Sequence, residues 1–230
     1  MKKRYNIMEV LTLAIAVDEA QGFIKSGFGY YNHTEEKEVL DNKTAIARVL
    51  GDHPEPPVYN ITDEHRKQAQ ELKDYFDGVI VMKKLTGSVN GFEDSVGKII
   101  NGTEVDNYGV SVLASLPNSL RIAKKRDDLD NWFDELRDKS EFIGKRGERL
   151  RFGVYVRDVK FIAKYGIHLV TCVDKEENIV KFFFSKEPDI AGLLEGRNVI
   201  LTGKVKQHDV SKFSQCNETV INYVRVEESA

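Results

Sequence analysis

The stretch Arg149-Leu150-Arg151-Phe152-Gly153-Val154-Tyr155-Val156-Arg157-Asp158-Val159-Lys160-Phe161-Ile162 decides how this chain is read. Apolar and polar residues alternate with period two, putting Leu150, Phe152, Val154 and Val156 on one face and Arg151, Tyr155 and Arg157 on the other. That is the pattern of a half-buried β-strand. Fourteen residues are long for a strand. A strand of this length has to bend, and Gly153 is where a bulge is expected to let it do so.

Downstream, the same period recurs in shorter runs. Tyr165 to Asp174 reads as a second strand, Lys175 to Asn178 as a polar turn, and Ile179 to Ser185 as a third strand. Pro188 to Leu194 reads as a short helix closed by Glu195-Gly196. Asn198 to His208 is a fourth strand, Asp209 to Asn217 a polar loop, and Glu218 to Glu227 a fifth strand. Three strands, a short helix and two further strands is the order of an OB-type barrel. An SH3-like barrel or a split sandwich has a similar strand count, and the helix between strands three and four favours OB.

Upstream, the period is helical. Asn6 to Gln21 carries Ile7, Val10, Leu11, Ala14, Ile15 and Val17 on a broad apolar face and stops at Gly22. Phe23 to Tyr31 is extended or hairpin-like, and Lys43 to Leu50 is a short helix. Pro54, Pro56 and Pro57 mark a loop. Thr62 is a cap for a helix running to about Leu85, with Asp63 and Glu64 in the first turn where the helix dipole favours them. Phe92 to Ile100, Val110 to Leu116 and Ser119 to Lys139 complete the set. The fold class expected is therefore α+β: a helical region over 1–139, a linker over 140–147, and an OB-type domain over 148–230.

Composition limits the function. Hydrophobic residues make up 41% of the 230, enough for a packed core. No run of about 18 apolar residues is present, so no membrane span is expected. The basic, then apolar N-terminus stops at Asp18 and Glu19, which argues against a signal peptide. Cys172 and Cys216 make neither a disulfide framework nor a zinc site, which suits a reducing cytoplasm. Net charge is −3, unevenly spread: from Gly144 onward 15 cations face 12 carboxylates, and before it 19 face 25. The barrel half is thus the basic half.

Several segments of that half carry a resemblance. They are Ser140-Glu141-Phe142-Ile143-Gly144-Lys145-Arg146-Gly147-Glu148-Arg149, Phe182-Phe183-Phe184-Ser185, Leu201-Thr202-Gly203-Lys204-Val205-Lys206-Gln207-His208, and Thr219-Val220-Ile221-Asn222-Tyr223-Val224-Arg225-Val226. Together they resemble an OB-fold domain that recurs in replication-associated genes of tailed bacteriophages and mobile elements. The likeness covers about the last 90 residues. It implies binding of single-stranded nucleic acid, and no family resemblance extends to the helical half.

Such binding needs cations along the phosphates and aromatic rings against the bases. The candidates by strand phase are Arg151, Tyr155 and Arg157 on the first strand, and Lys181 and Phe183 on the third if Phe182 and Phe184 face inward. The fourth strand offers Lys204, Lys206 and His208, and the fifth Tyr223 and Arg225. The ligand face is expected across strands two and three, flanked by the loops joining strands one to two and four to five. The bland alternative for each cation is a solvated strand face, and for Tyr223 a core ring with its hydroxyl at the surface.

Catalytic readings find no support. The histidines His33, His53, His65, His168 and His208 are scattered without metal-ligand spacing, and no phosphate-binding GxxxxGK[ST] loop is present. Asp127, Asp128, Asp130, Asp134 and Glu135 interleave with Lys124, Lys125, Arg126 and Arg137, as on an ion-paired helix face. The expectation is a cytoplasmic, non-catalytic accessory protein of phage or mobile-element DNA replication or recombination. It binds single-stranded DNA, uses no cofactor or metal, and meets replication or recombination proteins. The alternatives are RNA binding and a protein-interaction adaptor that uses the barrel and the helical surface.

Overall fold

The structure is a computed structural model that describes residues 3–51 and 53–227. The chain forms two compact units that meet between Lys125 and Arg126.

The first unit is helical. It runs β1 (Tyr5–Asn6), α1 (Ile7–Gln21), β2 (Tyr30–Asn32), β3 (Lys37–Val39), α2 (Asn42–Leu50), α3 (Asp63–Leu85), α4 (Gly91–Ile100), β4 (Glu104–Val105), α5 (Asn107–Leu113) and α6 (Leu116–Leu136). α6 gives its first half to this unit and, from Arg126, its second half to the other. Asn6 caps α1 by accepting from the amides of Met8 and Glu9 at 2.9 and 3.2 Å. Nearly every side chain from Val10 to Val17 is buried, as in a helix packed on all sides at the centre of a bundle. Thr62 and His65 form a reciprocal cap on α3, which fixes its start at the residue expected. α5 begins earlier than the pattern suggests, because the Asp106 carboxylate caps it, and it ends at Leu113. α6 then starts at Leu116 and takes Pro117 into its first turn, where proline's missing N–H costs nothing.

The second unit is the barrel. Its strands are β5 (Arg149–Ile162), β6 (Ile167–Asp174), β7 (Ile179–Phe184), β8 (Asn198–Val210) and β9 (Asn217–Glu227). They close in the order β5-β6-β7-β9-β8. All pairings are antiparallel except β7 with β9, where Ile179, Val180 and Lys181 run parallel to Glu218, Thr219 and Val220. This is an OB-type barrel. β5 serves both halves, pairing with β8 over Arg149–Tyr155 and with β6 over Val154–Ile162. Val154, Val156, Val170, Cys172, Val180, Phe182, Leu201, Val205 and Ile221 fill the interior, and Leu193 plugs it.

Two local expectations are corrected. The bulge in β5 lies between Val156 and Asp158, with Arg157 the extra residue, while Gly153 pairs regularly with Ile200. The helix expected over Pro188–Leu194 is one 3-10 turn, Asp189–Ala191, which Gly192 ends at φ +71°. A loop this short has room for a single turn before Gly196 and Arg197 lead into β8. The segment 140–147 is tied to the barrel: Ser140 Oγ donates to Asn217 O at 2.7 Å and accepts from Ile179 N at 2.9 Å. Ile143 N donates to Thr219 Oγ1 at 2.9 Å.

Candidate nucleic-acid interface

Strand register sorts the candidate residues onto two different faces of the barrel. On the first, β5, β8 and β9 lie side by side. Arg149 stands opposite Lys204, and Arg151 opposite Thr202, which stands opposite Arg225. Gly153 is opposite Ile200 and Tyr155 opposite Asn198. Directly opposed side chains on an antiparallel pair have Cβ atoms about 5 Å apart. Arg151, Lys204 and Arg225 are thus brought together, and Arg149 joins them. Sequence reasoning passed over Arg149 because it sits at the mouth of the strand, although it is in phase with Arg151.

One carboxylate, Glu227, stands among the outward residues of these paired segments. Arg151 Nη2 and Nε donate to Glu227 Oε2 at 2.7 and 3.0 Å, and Thr202 Oγ1 donates to Glu227 Oε1 at 2.9 Å. The Arg151 hydrogen bond, helped by that of Thr202, holds the Glu227 carboxyl below its ordinary pKa, and the carboxylate raises that of Arg151. Arg149, Lys204, Lys206 and Arg225 make no ion pair among the described residues. The loop leading into β5 adds Lys145 and Arg146, both exposed. It is held by Gly147, whose N–H donates to Val205 O at 2.8 Å from a left-handed φ of +89° that favours glycine.

Lys206 and Tyr223 occupy irregular positions beside this face. β8 carries an extra residue at Lys206, and β9 puts Tyr223 and Val224 against the single residue Gly203. Tyr223 sits at φ +52° and is 72% exposed. A tyrosine held in the left-handed region and turned to solvent costs conformational energy and buries nothing in return.

The second face, across β6 and β7, is where OB barrels usually take ligand. Here the second half of α6 packs against one end of it, where Val173 and Ile179 pair beside the β6–β7 turn. Trp132, Phe133 and Leu136 pack with Val173, Ile179 and Cys216. Arg157 projects outward at its bulge, but Nη2 donates to Asp128 Oδ2 at 2.6 Å and the guanidinium lies 5.6 Å from the Trp132 ring. Lys181 is also outward in phase, yet its side chain is only 16% exposed. It donates to Glu218 Oε1 at 2.6 Å and lies 4.9 Å from the Phe133 ring centre. Glu218 is 7% exposed and also accepts from Ser214 Oγ at 2.8 Å. Arg157 and Lys181 therefore hold the helix to the barrel and are not available to a phosphate.

Phe183 remains open on this face, opposite Leu169, while Phe182 is in the core. Beyond it, the loop between β5 and β6 exposes Tyr165 with Lys164 5.2 Å from its ring, and the loop between β8 and β9 exposes Phe213 completely. Both loop aromatics follow a lysine directly, a pairing visible in the sequence at Lys164-Tyr165 and Lys212-Phe213. His208 is engaged with its own chain: its ring stacks on Phe142 at 4.7 Å and Nε2 lies 3.2 Å from Ile143 O.

The thiols are sheltered. Burial pushes Cys172 up to about 12, and burial likewise raises Cys216, whose Sγ donates to Phe133 O at 3.2 Å. Among the described residues no group of three or more His, Cys, Asp or Glu is placed to hold a metal ion, and no helix is long and apolar enough to cross a membrane.

Fold and surface together define a helical unit joined to an OB-type barrel with one basic strand face. No family model, curated protein or solved structure matches this chain.

Proposed function

We propose that this protein binds single-stranded nucleic acid on the β5–β8–β9 face of its barrel, without turning it over. The observation that carries the reading is the register of Arg149 against Lys204, with Arg225 one row away. Like charges directly opposed on neighbouring strands destabilise a sheet. A chain pays that cost where an anion relieves it, and a phosphate between two such cations does so. Tyr155 and Tyr223, both exposed at the margins of the face, supply rings for base stacking. The closed barrel presents these groups on paired strands, which hold their spacing. DNA is the substrate favoured by the resemblance of the barrel to phage and mobile-element replication domains, and an accessory role in replication or recombination is the process it points to.

The test is a fluorescence-anisotropy titration of the full chain with labelled oligo-dT, oligo-U and duplex DNA over a range of salt. Tighter binding to either single strand than to duplex, weakening steeply with salt, supports the reading. Equal or tighter duplex binding, or no single-strand binding at low salt, overturns it and favours a protein-docking role for the barrel.

A further inference from the structure

Resting on that reading, we infer that Gly153 marks a seat for one nucleobase within the basic face. A glycine in the interior of a strand weakens it and commonly marks a bulge or a close approach by another molecule. The bulge is four residues away, so it does not account for Gly153. Nor does crowding, since a Cβ built at Gly153 meets nothing within 4 Å. The residue is exposed, sits in regular register with Ile200, and has a strand neighbour on one side only, because β6 ends at Asp174 opposite Val154.

The empty position lies in a groove of about 510 Å³ that includes Arg151, Tyr155, Asn198 and Ile200. Residues 151, 153 and 155 share the outward face, so Arg151 and Tyr155 stand about 13 Å apart along the strand with no side chain between them. Ile200 provides an apolar floor on the neighbouring strand, the Tyr155 ring one wall and Arg151 the phosphate contact beside it. The Asn198 side chain, opposite Tyr155, is exposed and makes no hydrogen bond among the described residues. Its amide offers donor and acceptor together, which is the chemistry that reads a base edge. The groove thus takes a flat ligand against bare backbone, with a hydrogen-bonding group at its rim.

Filling the seat tests this. Gly153→Val suits a strand, points outward and meets no neighbour, so its melting temperature should equal or exceed the wild type. Binding of a dT oligonucleotide should fall by about 5-fold or more, the scale of one lost base stack, with the salt slope unchanged. Gly153→Ala should give a smaller loss in the same direction, and it serves as the readout if the valine variant is unstable. Asn198→Ala should change the ratio of dT, dA and dC affinities. For an oligonucleotide of abasic sugars, the wild type and Gly153→Val should bind alike. If the wild type binds dT and both Gly153 variants bind it equally well, the seat is refuted while the basic-face reading stands. If the wild type binds no single strand, the parent reading itself has failed.

Discussion

Removing Lys204 and Arg225 together separates the two barrel faces quantitatively. Both side chains are exposed and make no ion pair among the described residues, so Lys204→Ala/Arg225→Ala should leave the melting temperature nearly unchanged. Each cation that neutralises a phosphate on a single strand contributes about −0.7 to the slope of log K against log salt. Arg149, Arg151, Lys204 and Arg225 acting together give a slope of about −2.8, so affinity should fall about 50-fold between about 50 and 200 mM salt. With two cations gone the slope becomes about −1.4, and the same salt change costs about 7-fold. The control is Lys181→Met. Removing Lys181 strands the buried carboxylate of Glu218, and breaking a buried pair this way costs about 3–5 kcal/mol. That variant should melt far lower, yet at a temperature where it is still folded it should keep the wild-type slope. Anisotropy titrations at four salt concentrations, alongside thermal melts, read both quantities. A slope that drops for Lys181→Met and holds for the double variant would place the phosphates on the β6–β7 face and refute the argument.

Two further outcomes follow from the same geometry. Glu227→Gln should tighten single-strand binding with the four-cation salt slope nearly unchanged, because Arg151 no longer divides its hydrogen bonds between a carboxylate and a phosphate. Glu227 titrates below the ordinary carboxylate range, so the pair's contribution is fully present above the unfolded-state pKa and is lost as pH falls through the lower folded-state value; wild-type affinity should show that gain only in that acidic window. Cys172, with its thiol pushed up to about 12, and the similarly raised Cys216 should react slowly with a thiol-specific chromophore at about pH 8 in the folded protein, and both should react at once in guanidinium. A fast native phase would show that one thiol is exposed.

The barrel was legible because its strands keep period two almost without interruption. Three phenylalanines in a row leave the phase of β7 open, and the structure sets it with Phe182 in the core and Phe183 outward, whereas in β8 the period itself turns Lys204 and Lys206 away from the core. What a phase cannot show is whether an outward residue stays uncovered. Arg157 and Lys181 face outward as expected, but Trp132 and Phe133 lie over them, and the charges around those two aromatics gave α6 the pattern of a solvated helix. The bulge was misplaced for a related reason. Glycine is the usual signal for one, whereas this bulge sits at an arginine whose extra length lets its guanidinium reach Asp128. The neighbours Arg149 and Lys204 are 55 positions apart in the chain, and only the barrel closure reveals the pair.

That closure also dictates an order of events during biosynthesis. β9 lies between β7 and β8, pairing parallel with one and antiparallel with the other. A nascent chain that has been synthesised only as far as Phe213 has β7 and β8 each with an unpaired edge, and such edges invite pairing with another chain. β9 satisfies both at once when it emerges. A chain stopped before Asn217 would therefore be left with two sticky borders, and truncation there should yield aggregates rather than a smaller soluble barrel.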